Sequence, residues 1–236
     1  MYEKLTYSNS AELCEQIAAE SNGTAILAFS TGKDSIAAWL QMRKYFKRII
    51  PYYCYVIPDL DFVEDSLKYY EDFFGQHIYR LPHPSFFRFL ENGIFQPKDM
   101  IDISRDFDIP MQVIYNDGTV PDVVRGSCGL TDEILCGVGV RMADSPVRRL
   151  SMKRYGAVNM TEAKFYPVYD WKKADILQAL DESGVKLPVD YEMFGRTFDG
   201  IDYRFLKPLK ERFPEDYKKI LDWFPLAEVE LKRRGE

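Results

Sequence analysis

The residues best suited to chemistry in this sequence lie in one short segment, residues 30–35, which read Ser-Thr-Gly-Lys-Asp-Ser. Ser30 and Ser35 offer hydroxyl donors, Lys33 a point charge and Asp34 a carboxylate. Such a set can bind the phosphates of a nucleotide, and a carboxylate beside phosphates can hold Mg²⁺. The spacing is not that of a Walker A loop, and because Gly32 is the only glycine in the segment the dinucleotide fingerprint is also absent.

The elements around this segment predict that it is an anion-binding turn. Residues 25–29 form a short apolar run typical of a buried parallel strand, and residues 36–46 have the composition of an apolar helix. The N–H groups and the dipole at the start of that helix attract an anion. Gly32 allows positive φ and close approach of a phosphate to the backbone. The alternative is an ordinary strand-to-helix turn capped by serine.

A second group of residues suited to anion chemistry lies in the segment that reads Leu-Cys-Gly-Val-Gly-Val-Arg-Met-Ala-Asp-Ser-Pro-Val-Arg-Arg, residues 135–149. Forked guanidiniums match phosphate or sulfate oxygens, and a serine that begins a helix adds donors to the same anion. The alternative is a solvated basic helix face, because Lys153 and Arg154 continue the charge run. The residues that we assign to anion binding here are Arg141, Ser145, Arg148 and Arg149.

Hydrophobic patterning predicts that both groups lie at strand ends. Residues 133–140 have the pattern of a buried strand, and a helix is expected to begin at Pro146. Ligands of open parallel sheets bind at the carboxyl ends of strands. The arginine segment, residues 30–35 and residues 58–61 should therefore converge.

The order of strands and helices predicts an α/β fold with a doubly wound, mostly parallel sheet. We predict a nucleotide-binding domain over residues 1–185 and a helical C-terminal extension over residues 186–236. Residues 95–131 are weakly patterned, which is typical of a substrate loop or lid, or of irregular packing. The further predicted strands are 49–57, 77–81 and 164–169, and the further predicted helices are 62–74, 84–92, 171–183, 203–213, 215–224 and 226–234. Helix caps are expected at Ser8 or Ser10, at Asp59 and Asp61, at Asp144 or Ser145, and at Asp170.

The composition of the 236 residues, 46% hydrophobic and 29% charged, is that of an ordinary globular protein. The net charge of −6 argues against a large nucleic-acid surface, although it leaves a local basic patch open. We find no apolar run long enough for a membrane span and no secretory signal, so we expect a cytoplasmic protein that does not bind a membrane. The four cysteines show no CxxC spacing, so we expect neither a disulfide framework nor an Fe–S cluster.

The pattern Ser-x-Gly-x-Asp-Ser resembles the PP-loop of the adenine nucleotide alpha-hydrolase-like superfamily, which includes ATP pyrophosphatases, ATP sulfurylase small subunits and phosphoadenosine phosphosulfate (PAPS) reductases. The arginine segment resembles the Gly-Ile-Arg-x-x-Glu/Gln-Ser-x-x-Arg segment of the PAPS reductase branch. Residues 166–171, Tyr-Pro-Val-Tyr-Asp-Trp, resemble the Asn/Tyr-Pro-Leu-x-x-Trp segment that follows it. The three matches occur in the right order and span residues 20–185.

The resemblance implies that the chain binds an adenine nucleotide with Mg²⁺. Asp34 is the candidate metal ligand, and the backbone of Val56 and Ile57 is a candidate contact for adenine. The candidate catalytic residues are Lys33, Asp34, Arg141 and Arg148. The candidate nucleotide and phosphate contacts are Ser30, Thr31, Gly32, Lys33, Asp34, Ser35, Val56, Ile57, Gly139, Arg141, Ser145, Arg148 and Arg149.

The sequence departs from the family's pattern at two places. Thr31 replaces a glycine common in the ATP pyrophosphatase branch, which leaves Gly32 to provide the close approach. Residues 137–236 contain no cysteine, whereas the reductases need a nucleophilic thiolate near the C-terminus. Cys128 is the only thiol expected on a loop, and we expect both Cys128 and Cys136 to be inert.

We therefore predict an ATP-binding enzyme of the PAPS reductase-like family that cleaves ATP between the α- and β-phosphates. The adenylyl group would pass to an unidentified small-molecule acceptor with release of pyrophosphate. The alternatives are a PAPS reductase with an unusual cysteine, a sulfurylase-type subunit that needs a partner, and a nucleotide-binding regulatory module without turnover. The sequence leaves the acceptor, the choice of ATP or PAPS, a protein partner and homo-oligomerisation open.

Overall fold

The computed structural model of the chain describes residues 5–100 and 114–234. The described strands, in chain order, are β1 (Thr24–Ala28), β2 (Arg48–Tyr55), β3 (Tyr79–Pro82), β4 (Cys136–Val138), β5 (Val158–Asn159) and β6 (Lys164–Phe165). They form one sheet in the order β3-β2-β1-β4-β6-β5. β1 pairs in parallel with both β2 and β4, β4 pairs in parallel with β6, and β5 and β6 are antiparallel. The predicted α/β fold with a mostly parallel sheet is confirmed.

The strands alternate with helices over most of the described chain. The helices are α1 (Ser10–Glu20), α2 (Lys33–Met42), α3 (Asp61–Phe74), α4 (Pro84–Glu91), α5 (Val120–Cys128), α6 (Pro146–Tyr155), α7 (Lys173–Ser183), α8 (Val189–Phe194), α9 (Tyr203–Arg212), α10 (Pro214–Trp223) and α11 (Glu228–Lys232). Single 3₁₀ turns occupy Met142–Asp144 and Pro225–Ala227. No helix in these ranges is long and apolar enough to cross a lipid bilayer.

The chain folds as two compact units. The first comprises Met1–Tyr53, Glu71–Tyr79 and Val120–Leu187, and the second comprises Cys54–Tyr70, Arg80–Thr119 and Pro188–Glu236. The boundary predicted at residue 185 stays a prediction.

The core of the first unit is built on β1 and α2. The side chains of Ala25, Ile26 and Leu27 are fully buried, as expected for a strand inside a parallel sheet covered on both faces. α2 is buried at every position from Ser35 to Met42, which explains its apolar composition. Trp39 of α2 stacks on Phe74 with ring centroids 3.9 Å apart. Packing along the length of α2 therefore fixes the position of its first turn.

The second unit has an aromatic core. Phe62, at the start of α3, makes edge or tilted contacts with three other phenylalanines at centroid distances of 5.5–6.5 Å. Asp216 of α10 is 1% exposed and accepts hydrogen bonds from the backbone N–H groups of Asp61 and Phe62, at 2.7 and 3.0 Å. The rings in contact with Phe62 are those of Phe194, Phe198 and Phe213.

Three of the predicted helix caps are wrong, because other side chains satisfy the ends. α1 is capped by Asn9, whose side chain accepts from the amide of Glu12 at 2.9 Å, and the amide of Ser10 donates to Asp170. Asp170 is therefore not the cap of α7, whose first turn is closed by a hydrogen bond from Lys172 N–H to Asp175. The start of α3 is held by Asp216 rather than by Asp59 and Asp61.

Several predicted boundaries also change. The strands predicted over 133–140 and 164–169 shorten to β4 and β6, and sequence patterning did not predict β5, α5 or α8. Cys128 is the last residue of α5, so the prediction that it lies on a loop is wrong. Of the weakly patterned segment 95–131, the central part 101–113 lies outside the described residues.

Candidate functional site

The candidate site lies in the first unit, where the order of the sheet strands reverses. The chain leaves β1 through α2 and returns in β2 on one side, whereas β4 pairs with the other side of β1. Because β1 and β4 are parallel neighbours, the segments that follow them emerge at the same edge of the sheet. Such a reversal opens a crevice at the carboxyl ends of the strands, which is where open α/β sheets bind ligands.

The turn after β1 adopts an unusual backbone conformation at Thr31. Thr31 has φ of 57°, in the left-handed region that β-branched residues avoid. Gly32 has φ of −71° and ψ of 149° and is the N-cap of α2, so it does not use the positive φ that glycine allows. The Thr31 hydroxyl donates to the carbonyl of Ser30 at 2.6 Å, and the residue is only 3% exposed. Glycine at position 31 would adopt this conformation without strain.

Hydrogen bonds between the two serines close the turn. Ser35 Oγ accepts from the amide of Ser30 at 3.2 Å and from its hydroxyl at 3.3 Å, and it donates to the carbonyl of Gly32 at 2.8 Å. Ser35 is buried and Ser30 is exposed. Gly32 supplies no side-chain cap to α2, so the positive end of the helix dipole is not covered by a capping side chain.

Alternating charges connect the turn after β1 with the segment after β4. Lys33 Nζ lies 3.3 Å from Asp34 Oδ2, and Asp34 Oδ1 lies 3.0 Å from Arg141 Nε. Arg141 Nη2 lies 2.8 Å from Asp144 Oδ1, and Asp144 Oδ2 lies 3.0 Å from Arg148 Nη1. We call these five residues the charge chain. It brings four of the residues predicted for the site together: Lys33, Asp34, Arg141 and Arg148.

The cations of the charge chain differ in exposure. The side chain of Arg141 is 8% exposed, whereas those of Lys33 and Arg148 are 31% and 50% exposed. Arg141 lies between two carboxylates, so its charge is largely balanced inside the protein. Lys33 and Arg148 are the cations that a ligand can reach most directly.

Asp34 keeps one carboxylate oxygen without a hydrogen bond. Asp34 Oδ1 and Arg141 Nε are both buried and neither has a hydrogen-bond partner, so their 3.0 Å separation is an ionic contact with poor hydrogen-bond geometry. Because Asp34 Oδ1 is buried against Arg141 while the Asp34 side chain is 26% exposed, Oδ2 is the carboxylate oxygen that a metal ion could reach. Mg²⁺ in nucleotide sites is commonly bound by one or two carboxylates together with substrate phosphates.

A single carboxylate does not make a metal site by itself. Within residues 5–100 and 114–234, no group of three or more His, Cys, Asp or Glu side chains could hold a metal ion. The donor set around Asp34 fits Mg²⁺ when nucleotide phosphates supply further oxygens.

Gly139 lets the segment after β4 approach the start of α2. A Cβ atom at position 139 would lie 2.6 Å from the carbonyl oxygen of Asp34 and 2.8 Å from the amide nitrogen of Ser35. Real Cβ atoms essentially never approach backbone atoms so closely. Glycine at this position therefore allows the contact between Asp34 and Arg141.

The remaining predicted residues of this segment lie at the start of α6. Ser145 is the N-cap, and its hydroxyl accepts from the amide of Arg148 at 3.2 Å, so one of the two caps predicted for this helix is confirmed. Arg149 is exposed on the same helix.

Val56 and Ile57 belong to the second unit and are 5% and 2% exposed, and their contact with adenine stays a prediction.

The sequence interpretation did not assign Asp144 to the site. Its carboxylate accepts from the backbone amide of Arg141 at 2.9 Å as well as contacting both guanidiniums. The signal was present in the sequence, because Asp144 stands three residues after Arg141 and four before Arg148. The pairs do not lie on one helix, however: Asp144 ends a single 3₁₀ turn and Ser145 after it is extended, so the backbone path decides that the charges meet.

Burial lowers the reactivity of two thiols of the first unit, those of Cys14 and Cys136. Burial raises the pKa of the Cys136 thiol to about 11, although a hydrogen bond with Tyr52 lowers it in part. Burial also raises the pKa of Cys14, and the charge of Asp170 adds to the shift. Neither thiol forms a thiolate readily at neutral pH.

No family model and no curated protein matches the sequence. Among solved structures, similar folds occur in a PAPS reductase from Candida auris in complex with phosphate (12% identity, 84% of this chain and 90% of that chain, TM-score 0.48). They occur also in the U34-tRNA thiolase NcsA from Methanococcus maripaludis (12% identity, 93% of this chain and 79% of that chain, TM-score 0.44). A third is the NH₃-dependent NAD synthetase from Campylobacter jejuni (13% identity, 95% of this chain and 91% of that chain, TM-score 0.46).

The chain has an α/β fold with a mostly parallel six-stranded sheet, which is the fold class that the order of strands and helices predicted.

Proposed function

We propose that this protein is an enzyme that binds ATP at the turn after β1 and cleaves it between the α- and β-phosphates. The observation that carries the proposal is the charge chain, which joins a helix N-terminus to an arginine-bearing segment at the reversal of strand order. This arrangement offers hydrogen-bond donors and cations to a polyphosphate at the place where such sheets bind ligands.

The reaction is the transfer of an adenylyl group. An oxyanion of the acceptor attacks the α-phosphorus, and the bond from that phosphorus to the oxygen bridging to the β-phosphate breaks. Its electron pair leaves with pyrophosphate. No general base is required, because the attacking oxygen already carries a negative charge.

The side chains of the chain stabilise the charge that develops on pyrophosphate. Residues 30–35 offer backbone donors to the departing phosphates, and Lys33 and Arg148 add exposed positive charge. Arg141 holds Asp34 and Asp144 in place. Asp34 would hold Mg²⁺, which would neutralise charge on the phosphates.

Identification of the phosphate bond that is cleaved in ATP tests this proposal. The protein is incubated with a metabolite extract and with ATP labelled in the α-phosphate or in the γ-phosphate, and the products are separated by chromatography. We expect label from the α-phosphate in AMP or an adenylylated compound, and label from the γ-phosphate in pyrophosphate. Formation of ADP and phosphate instead would refute the proposal.

The same incubation with PAPS and reduced thioredoxin tests the reductase. Release of sulfite that disappears in Cys128→Ser would establish sulfonucleotide reduction in place of adenylyl transfer. Binding of ATP without any cleavage, in every extract fraction, would establish the regulatory module.

A substitution of Asp34 tests its assignment as the metal ligand. Asp34→Asn should lose turnover by orders of magnitude and lose the Mg²⁺ dependence of ATP binding, because the amide does not replace the charge of the carboxylate. Asp175→Asn is a matched control. Asp175 also lies in the first turn of a helix, and its carboxylate accepts an exposed hydrogen bond from the backbone amide of Lys172. Unchanged turnover in Asp34→Asn would remove Asp34 from the mechanism.

A further inference from the structure

We infer that Asp144 is a positioning residue, which holds Arg148 in place for the phosphates of the ligand. The inference rests on the proposed function, because it takes the ligand of Arg148 to be a polyphosphate. Asp144 itself would touch no part of the ligand. Its role follows from how firmly its carboxylate is held and from what it holds.

The Asp144 carboxylate is fixed from one side by Arg141. It accepts from the Arg141 backbone amide at 2.9 Å and lies 2.8 Å from Arg141 Nη2. The Arg141 side chain is in turn 8% exposed and lies 3.0 Å from Asp34 on α2. Asp144 is thus anchored to the buried part of the first unit through a backbone and a side-chain contact.

The same carboxylate also holds Arg148, through Oδ2, the oxygen that accepts from the Arg141 amide. Arg148 Nη1 lies 3.0 Å from Asp144 Oδ2, while the Arg148 side chain is 50% exposed. An ordinary exposed pair contributes little, because two flexible side chains must be ordered together. Here only Arg148 is left to be ordered, since Asp144 is already fixed. The exposed half of the guanidinium remains available to a ligand.

Arg149 provides an internal comparison. It follows Arg148 on α6 and is exposed. No contact of its guanidinium with an acidic side chain occurs within the part of the chain that the structure describes. The two neighbouring arginines should therefore differ in order, although both lie in the same turn of the same helix.

A positioning role and a purely electrostatic role predict opposite signs. A negative charge beside an anion site repels the anion, so removal of the charge by Asp144→Asn should strengthen anion binding if Asp144 acts only through its field. If Asp144 positions Arg148, the same substitution weakens anion binding. The loss of one hydrogen bond to a charged group from the bound state lowers the affinity for the anion about tenfold.

The probe is inorganic pyrophosphate, titrated without metal into the full chain and followed by calorimetry. We expect Asp144→Asn to bind pyrophosphate about tenfold more weakly than the wild type. Asp175→Asn should bind like the wild type, because Asp175 accepts the same kind of backbone hydrogen bond at a helix start. Unchanged or tighter binding by a folded Asp144→Asn would overturn the inference.

A measurement on the wild-type side chains covers the case in which Asp144→Asn does not fold. ¹⁵N relaxation of arginine Nε–H groups, assigned with Arg148→Lys and Arg149→Lys, compares the two neighbours. We expect Arg148 to be markedly more ordered than Arg149. Equal mobility of the two would overturn the inference.

These results are distinct from those that test the proposed function. If ATP is not cleaved between the α- and β-phosphates but pyrophosphate binding still depends on Asp144, the reaction is wrong and the positioning role stands. If ATP is cleaved as proposed and Asp144→Asn leaves pyrophosphate binding unchanged, the positioning role is wrong and the reaction stands.

Discussion

Gly139 offers the most direct test of how the two halves of the candidate site are held together. Substitution by alanine would place a Cβ atom 2.6 Å from Asp34 O, 2.7 Å from Asp34 C and 2.8 Å from Ser35 N. These are backbone atoms at the start of a helix that is buried along its length. They cannot move aside as the end of a flexible side chain can, so the segment after β4 must shift.

The cost of Gly139→Ala follows from this overlap. Overpacking a well-packed region typically costs about 1–3 kcal/mol. For a chain of this size, each kcal/mol lowers the midpoint of thermal unfolding by roughly 2–4 °C. Because the shift separates Arg141 from Asp34, which are 3.0 Å apart, we expect weaker binding of inorganic pyrophosphate in addition to the loss of stability.

Thermal unfolding followed by circular dichroism and pyrophosphate calorimetry measure the two effects. Gly126→Ala is the control, since no heavy atom lies within 4 Å of a Cβ at position 126 and the residue is inside α5. Alanine is favoured over glycine in a helix, so the control should keep or raise the unfolding midpoint. If Gly139→Ala matches the wild type in both measurements, the close contact between β4 and α2 does not hold the site.

Further predictions concern the core and the thiols. Asp216→Ala should lower the free energy of unfolding by about 2–5 kcal/mol, because it leaves the amides of Asp61 and Phe62 without their acceptor. Asp222→Ala on the exposed side of the same helix should change it by less than about 0.5 kcal/mol, and equal effects in urea unfolding would contradict this. Burial raises the pKa of the Asp190 carboxyl above its ordinary value of 3.8, so the folded state binds this proton more tightly than the unfolded state does. The wild type therefore loses stability as the pH rises above that value. Asp190→Asn should therefore gain stability relative to the wild type as the pH rises above about 4, and a pH-independent difference would refute this. Native-state alkylation read by mass spectrometry should modify Cys54 and Cys128 before Cys14 and Cys136, which are fully buried, and early labelling of Cys136 would contradict its raised pKa of about 11.

Sequence patterning predicted the parts of the site that are continuous in the chain. β1, the turn over residues 30–35 and α2 follow one another, so apolar periodicity and turn residues define them locally. The helix that begins at Pro146 with Ser145 as its cap is predicted by the same local rules. Strand ends and helix caps were predicted less well, because they depend on which neighbours pair with them.

Tertiary structure decided which residues act together. The ends of α1 and α3 are satisfied by Asp170 and Asp216, each more than 150 positions away from the amide that it accepts from. Thr31 is in the left-handed conformation and Gly32 is the extended N-cap of α2, although local propensity favours glycine over threonine at a left-handed position.

The sequence alone determined that a turn with the residue types of an anion site and an arginine segment are present. It could not determine that Asp34 contacts Arg141, since that ion pair requires β4 to lie beside β1 and Gly139 to admit the backbone of α2. Side-chain chemistry is encoded at single positions, whereas the distance between two charges is set by the packing of every element between them. The turn and the arginines were therefore predictable from residue types, and the charge chain that joins them required the folded structure.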